Sequence, residues 1–138
     1  MIKAIAVICI IFTFFLTGCA PATFSEMKKK ESINKASFIT HENYETIYKR
    51  SLSKSKECFE MGAITAAFIA DGQLYSNTKE AEVTVSLMGG FGRNLIHGAT
   101  FKSINENQTE VTLYTYWSEQ YIVKMKKLFT GETNSCEN

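Results

Sequence analysis

Four cysteines carry the most distinctive chemistry of this sequence, and they stand at positions 9, 19, 58 and 136. A thiol can take a lipid, form a disulfide, bind zinc or act in redox catalysis. Cys58 and Cys136 are too far apart for a C-x-x-C redox motif, and two thiols without a nearby histidine cannot fill a zinc site. We therefore predict neither a metal nor another cofactor.

A glycine-rich stretch, GGFGRN at residues 89–94, is the second candidate for chemistry. Backbone N–H groups of such a loop can bind an anion, and Arg93 would add a positive charge. The Gly-Lys-Ser/Thr ending of phosphate-binding loops is missing, and a strand is predicted to follow where a dinucleotide fingerprint needs a helix. The alternative is a wide hairpin turn in which the glycines supply positive φ. Arg93 is thus a candidate contact to an anion or a partner.

The remaining polar residues do not form a recognisable catalytic group. His41 is predicted at a helix start and His97 on a strand, and neither belongs to a metal-binding spacing. Asp71 is followed by Gly72, which favours a turn over acid–base work. The sequence contains no Gly-x-Ser-x-Gly elbow and no suggestive glutamate pair. We assign no catalytic residues and expect the protein not to be an enzyme.

The N-terminus has the features of an export signal. Lys3 gives a short basic start, and residues 4–16 form an uncharged, almost wholly apolar run of about 13 residues, whereas a membrane-spanning helix needs roughly 20. A basic start, a short apolar stretch and small residues at the cut are typical of a secretory signal. Residues 1–18 are therefore predicted to be removed.

The cut region Leu16-Thr17-Gly18-Cys19 resembles the lipobox of bacterial lipoproteins. The resemblance implies that the Cys19 thiol is linked to diacylglycerol and that cleavage then makes Cys19 the first residue. Ala20, where an Asp would retain the protein, implies the outer membrane of a Gram-negative cell, with the domain facing the periplasm. In a cell with one membrane, the anchor would lie in its outer surface.

Cys9 leaves with the signal and Cys19 carries lipid, so Cys58 and Cys136 remain as a pair in an exported domain. Oxidising compartments favour pairing, so we predict a disulfide between them. It would close a loop of roughly 78 residues and stabilise the fold by about 4 kcal/mol. It would also tie the C-terminal tail to the end of the first predicted helix.

Charge argues against one class of partner. The chain has 15 Lys and Arg against 14 Asp and Glu, and loss of Lys3 makes the mature chain formally neutral. A neutral domain is a poor nucleic-acid binder, so we expect no nucleic acid as partner.

Residues 19–37 lack an apolar period and are predicted to be a flexible, lipidated tether, whose Lys28-Lys29-Lys30 run either touches anionic headgroups or is solvated.

Residues 38–138 are predicted to form one α+β globular domain. The predicted elements are a helix over 40–59, strands over 63–70, 73–75, 82–88, 94–104 and 109–117, and a helix from Ser118 to Thr130 that ends at Gly131. Asp71-Gly72 and residues 105–107 are predicted turns. In strand 82–88, Val83, Val85 and Leu87 should point inward.

An antiparallel meander has one face to bury, and the two helices are the available cover. The expected fold is a two-layer sandwich of an N-terminal helix, four to five antiparallel strands and a C-terminal helix, whose other face is solvated or used for binding. Tyr114, Tyr116, Trp117 and Tyr121 form an aromatic cluster where the last strand meets the last helix. We interpret it as packing, with a partner surface as the alternative.

The chain resembles a family of small uncharacterised lipoproteins of Gram-negative bacteria. The matching features are the lipobox at Cys19, residues 43–50 with Cys58, Leu74-Tyr75 before a strand, residues 87–93 and Cys136. The resemblance implies a location and a fold but no activity. We expect a non-enzymatic envelope lipoprotein that binds a protein or another envelope component, or serves as an accessory subunit. The alternative is a ligand-binding protein or hydrolase with its site near residues 89–93.

Overall fold

The computed structural model describes residues 23–90, 92–133 and 136, so Cys19 and the predicted signal lie outside the described residues. The elements in chain order are α1 (Phe24–Lys29), β1 (Asn34–Thr40), α2 (Tyr44–Phe59), β2 (Met61–Gly62), β3 (Ala66–Tyr75), β4 (Glu80–Gly89), β5 (Gly92–Asn105), β6 (Gln108–Thr115) and α3 (Glu119–Thr130). None of the described helices is long and apolar enough to span a membrane.

The strands form a single antiparallel sheet in the order β1-β6-β5-β4-β3-β2. This confirms the α+β class with an antiparallel sheet. The sheet has six strands rather than four or five, and an additional helix and strand precede the predicted first helix. The prediction missed β1 because its residues are mostly exposed, and its position is fixed by pairing with the distant β6.

Helices α2 and α3 cover one face of the sheet, which we call the inner face. Helix α2 begins at Tyr44, four residues after the predicted start, and is capped by Asn43, whose side chain accepts a hydrogen bond from the Glu45 N–H at 2.9 Å. Helix α3 ends as predicted at Gly131, whose φ of 79° is a conformation that glycine adopts without strain. The largest fully buried side chains between helices and sheet include Ile47, Phe101 and Phe129.

The opposite, outer face of the sheet is partly covered by α1, which corrects the predicted flexible tether over residues 23–37. Thr23 and Glu26 form a reciprocal capping box at the start of α1. Phe24, Met27 and Ile33 then bury against Leu95 and against the ring of Tyr114 on the outer face. The segment lacks a long apolar period because α1 buries only Phe24 and Met27, within one helical turn, and Ile33 lies beyond its end. The folded domain therefore starts well before residue 38.

The predicted turn at Asp71-Gly72 is also wrong, because both residues lie in the middle of β3 and pair with β4. The β3–β4 connection is instead at residues 76–79. Gly72 leaves room for two side chains of α2. A Cβ there would lie 2.6 Å from the Tyr48 hydroxyl oxygen and 2.8 Å from a Leu52 methyl group. Glycine thus lets α2 approach the sheet closely.

A bulge in β5 decides which side chains face the helices. Val85 pairs with His97 and Ser86 pairs with Leu95, so Ile96 is the extra residue. Because of it, His97 points inward while Leu95 joins the outer-face cluster under α1. On β4, Val83 and Val85 are buried as predicted, but Leu87 is only half-buried, since it lies beyond the cover of the helices.

Candidate functional site

A cavity of about 430 Å³ opens between the ends of α2 and α3 and the segment that follows α3. This volume is within the range of about 300–1,000 Å³ common for small-molecule sites. We call it the α2–α3 cavity. Its lining residues are Cys58, Phe59, Tyr121, Lys124, Met125, Lys127, Leu128, Glu132, Thr133 and Cys136.

The Cys58–Cys136 disulfide forms part of the wall of this cavity. The two sulfurs are 2.04 Å apart and the Cα atoms 5.1 Å apart, across a sequence separation of 78. The bond joins the last turn of α2 to the tail, which is the role the cysteine positions predicted. The wall of the cavity beyond α3 is therefore held in place by a covalent link to α2.

Behind the cavity wall lies a buried histidine that the sequence analysis left without a role. His97 is 0% exposed and is surrounded by three aromatic rings. The Tyr121 ring stacks on it at 5.1 Å and 11°, the Trp117 ring meets it edge-on at 4.3 Å, and the Phe59 ring is tilted at 5.3 Å. Phe59 and Tyr121 also line the α2–α3 cavity, so His97 is one layer away from it.

One nitrogen of His97 is engaged by a threonine hydroxyl. The Thr115 hydroxyl oxygen lies 2.7 Å from His97 Nδ1 and accepts the Trp117 backbone N–H at 3.0 Å. Either group can be the donor in this contact, depending on the tautomer of the imidazole. Nε2 has no hydrogen-bond partner among the described residues. Burial lowers the pKa of His97 to about 4, so the ring is neutral at physiological pH.

The predicted aromatic cluster is divided between the two faces of the sheet. Trp117 and Tyr121 pack edge-to-face at 4.3 Å and enclose His97 on the inner face. Tyr114 and Tyr116 lie on the outer face, where Phe24 meets the Tyr114 ring edge-on at 5.5 Å. These four residues therefore do not form one continuous aromatic surface.

Arg93 lies on the outer face, where its side chain reaches across three strands. Its guanidinium donates to Asp71 at 2.9 Å on β3, and to Ser86 at 2.8 Å and Thr84 at 3.3 Å on β4. This places Asp71 in an ion pair rather than in the predicted turn. The contacts direct the guanidinium along the sheet, away from the glycine-rich turn.

A second cavity, of about 540 Å³, lies beside the glycine-rich turn. Its described lining consists of Thr65, Ala66, Leu87, Gly89, Gly90, Gly92 and Asn94. No titratable side chain is present in this set, and Arg93 with its partner Asp71 lies outside it. In the part of the chain that the structure describes, no three His, Cys, Asp or Glu residues are grouped so as to hold a metal ion.

Comparisons with known proteins add little to this geometry. No family model matches the chain, and no curated protein matches it. Among solved structures, the chain is similar to norcoclaurine synthase from Thalictrum flavum in complex with dopamine and hydroxybenzaldehyde. The TM-score is 0.34 and the identity 7%, over 85% of this chain and 96% of that one. At this level the similarity supports no argument about fold or function.

Proposed function

We propose that this chain is a lipid-anchored protein of the bacterial envelope whose domain binds a small ligand in the α2–α3 cavity, without catalysing a reaction. The observation that carries the binding role is the cavity itself. It combines an apolar wall, which includes Phe59, Met125 and Leu128, with a few charged groups at its border. Such a combination gives affinity through apolar burial and orientation through the polar groups.

The position and the lowered pKa of His97, the buried histidine behind the cavity wall, favour binding rather than catalysis. His97 is separated from the cavity by Phe59 and Tyr121, and its Nδ1 is engaged by Thr115. A general base needs hydrogen-bond reach to its substrate and a pKa near the working pH. His97 has neither, since its pKa is lowered to about 4. Its role in the proposal is to support the two aromatic rings of the wall.

Export and anchoring are supported by the lipobox at Leu16-Thr17-Gly18-Cys19 and by the Cys58–Cys136 disulfide. Structural disulfides persist in oxidising compartments such as the bacterial periplasm. We propose attachment to the outer membrane through acyl chains on Cys19, with the domain in the periplasm. Two or three acyl chains hold a protein firmly on a membrane, whereas one does not.

Anchoring is tested by the variant Cys19→Ser, with Cys9→Ser as the matched control inside the predicted signal. The first variant should lose labelling by radioactive palmitate and retain residues 1–18, as measured by intact mass. The control should be lipidated and cleaved normally. Lipid labelling of the Cys19→Ser protein would contradict the proposed anchor.

Ligand binding is tested by placing a photoreactive amino acid at position 59 and, in a control protein, at Ile104, which is 51% exposed. Irradiation of intact cells should give a small-molecule mass adduct at position 59 but not at 104. The absence of adducts, or equal adducts at both positions, would contradict a ligand site in the cavity. A protein crosslinked to position 59 would contradict a small ligand and would indicate that a partner protein occupies the site.

A further inference from the structure

The border of the α2–α3 cavity carries two lysines on one side of α3. Lys124 and Lys127 are three residues apart on the helix, a spacing that places side chains on the same face. Lys124 Nζ lies 5.8 Å from the centre of the Tyr121 ring, which is part of the cavity wall. The Lys124 ammonium group is thus positioned beside the aromatic wall, and Lys127 lines the same cavity.

Neither lysine has an ion-pair partner among the described residues. Within residues 23–90, 92–133 and 136, six other cations lie within 4.0 Å of a carboxylate, but no such contact involves Lys124 or Lys127. The described lining contains one acid, Glu132, which accepts a hydrogen bond from the Thr130 hydroxyl at 3.0 Å. Two lysines and one glutamate give the described lining a formal charge of +1.

The rest of the wall is apolar and adaptable. Leu128 is only 6% exposed and Met125 only 2%, and Phe59 packs against the same core. Methionine is flexible and polarisable, so it fits around ligands of irregular shape. An apolar wall beside two lysines that form no ion pair with the described residues is complementary to a molecule with an apolar body and one anionic end.

We propose that the α2–α3 cavity takes a fatty-acid-like monoanion, with its carboxylate on Lys124 and Lys127 and its chain against Phe59, Met125 and Leu128. This inference rests on the proposed ligand-binding function and adds the class of ligand. The carboxylate supplies the acceptor oxygens that the two ammonium groups lack. Burial of the chain supplies affinity in proportion to the apolar area removed from water.

Trp117 provides a direct reporter of occupancy. It is the only tryptophan of the chain, and its ring lies 4.3 Å from the Tyr121 ring, which forms part of the wall. We would titrate the purified protein with decanoate, below its micelle concentration, and follow Trp117 fluorescence. Decan-1-ol, with the same chain and no charge, is the matched ligand control. Decanoate should bind roughly tenfold more tightly, because it gains charge-assisted hydrogen bonds.

The lysines are tested by the double variant Lys124→Gln with Lys127→Gln. This variant should bind decanoate roughly tenfold more weakly and should bind decan-1-ol with unchanged affinity. The matched control is Lys126→Gln with Lys35→Gln, which removes the same charge at positions outside the described cavity lining. Lys126 belongs to the same helix but lies over the Phe38 ring at 5.1 Å. The control should bind decanoate as the unmodified protein does.

Three results would overturn the ligand class. The protein could bind decanoate and decan-1-ol with equal affinity, both double variants could lose decanoate affinity equally, or decanoate could cause no saturable fluorescence change. The crosslinking experiment at position 59 separates this failure from failure of the proposed function. If a small-molecule adduct forms there while decanoate does not bind, the cavity binds a ligand of different chemistry. If no adduct forms and decanoate does not bind, both proposals are contradicted.

Discussion

The Phe24 ring of α1 packs directly on the backbone of Gly98 in β5. A Cβ at position 98 would lie 2.6 Å from Phe24 Cζ, too close for both to remain in place. This contact attaches the segment next to the predicted lipid anchor to the middle of the sheet. The described part of the domain starts at Thr23, four positions after Cys19, the proposed lipid site.

Gly98→Ala should displace α1 and lower the free energy of unfolding by about 1–3 kcal/mol, as overpacking does. Released α1 should also be cut faster by trypsin at Lys28, Lys29 and Lys30, which mass spectrometry can follow. Gly90→Ala is the control, since a Cβ there meets nothing within 4 Å. Unchanged trypsin cleavage in Gly98→Ala would show that Phe24 does not hold α1 on the sheet.

The Cys58–Cys136 disulfide should stabilise the domain by restricting the unfolded chain. The double variant Cys58→Ser with Cys136→Ser should lose about 2–4 kcal/mol of unfolding free energy in urea titrations. Reductant should destabilise the unmodified protein to a similar extent and leave the double variant unchanged. Two free thiols in protein purified from the envelope would contradict the pairing.

His97 should make the domain less stable in mild acid. Its pKa is lowered from 6.5 to about 4 by burial, so between these values the unfolded chain binds a proton that the folded protein excludes. Stability is therefore complete above pH 6.5 and falls by about 3 kcal/mol as the pH drops to 4. Urea titrations between pH 4 and 7 should show this dependence of the free energy of unfolding on pH.

His97→Phe should remove most of that pH dependence while keeping an aromatic ring beside Tyr121. Its stability at pH 7 will be lower, because the Thr115 hydroxyl loses its partner. The informative quantity is the slope with pH. His41→Gln, which changes the other histidine of the chain, should keep the slope of the unmodified protein. An undiminished slope in His97→Phe would assign the acid sensitivity to other groups.

Glu42 and Arg50 form a two-pronged ion pair at 2.6 and 2.7 Å, and Arg50 Nε also donates to the Phe129 carbonyl at 2.6 Å. These contacts connect the start of α2 to the end of α3. The hydrogen bonds from Arg50 are the main reason that the pKa of Glu42 is lowered from 4.5. The pair therefore stabilises the fold above pH 4.5 and loses its effect as the pH falls through the lower, folded pKa.

Glu42→Gln should cost about 1 kcal/mol of unfolding free energy at pH 7, because this half-buried pair has favourable two-pronged geometry. The loss of unfolding free energy caused by Glu42→Gln should be smaller below pH 4.5. Glu45→Gln is the matched control, since the exposed ion pair of Glu45 with Lys49 at 3.4 Å should contribute about 0.5 kcal/mol at most. Equal costs for the two variants would show that the Arg50 contacts add nothing to an ordinary surface pair.

Local signals in the sequence determined the elements whose formation depends on neighbouring residues. The apolar period from Ser118 to Thr130 and Gly131 at its end predicted α3, and the alternation in residues 109–117 predicted β6, which ends two residues earlier. Residues 105–107 predicted the β5–β6 turn. Cysteine positions indicated the Cys58–Cys136 pair. The helix, strand and turn signals work because burial or backbone conformation recurs within a few residues, whereas the cysteine pair followed from eliminating Cys9 and Cys19.

Tertiary structure alone decided features that depend on residues far apart in the chain. The pairing of Phe38 with Val111 made β1 an edge strand, and the fit of Phe24 onto Gly98 turned a predicted tether into a docked helix. The bulge at Ile96 turned His97 toward Tyr121. A periodic pattern reports which face of an element is buried, but not what buries it. The α2–α3 cavity could therefore not be predicted, since it exists only where two helix ends and the tail meet.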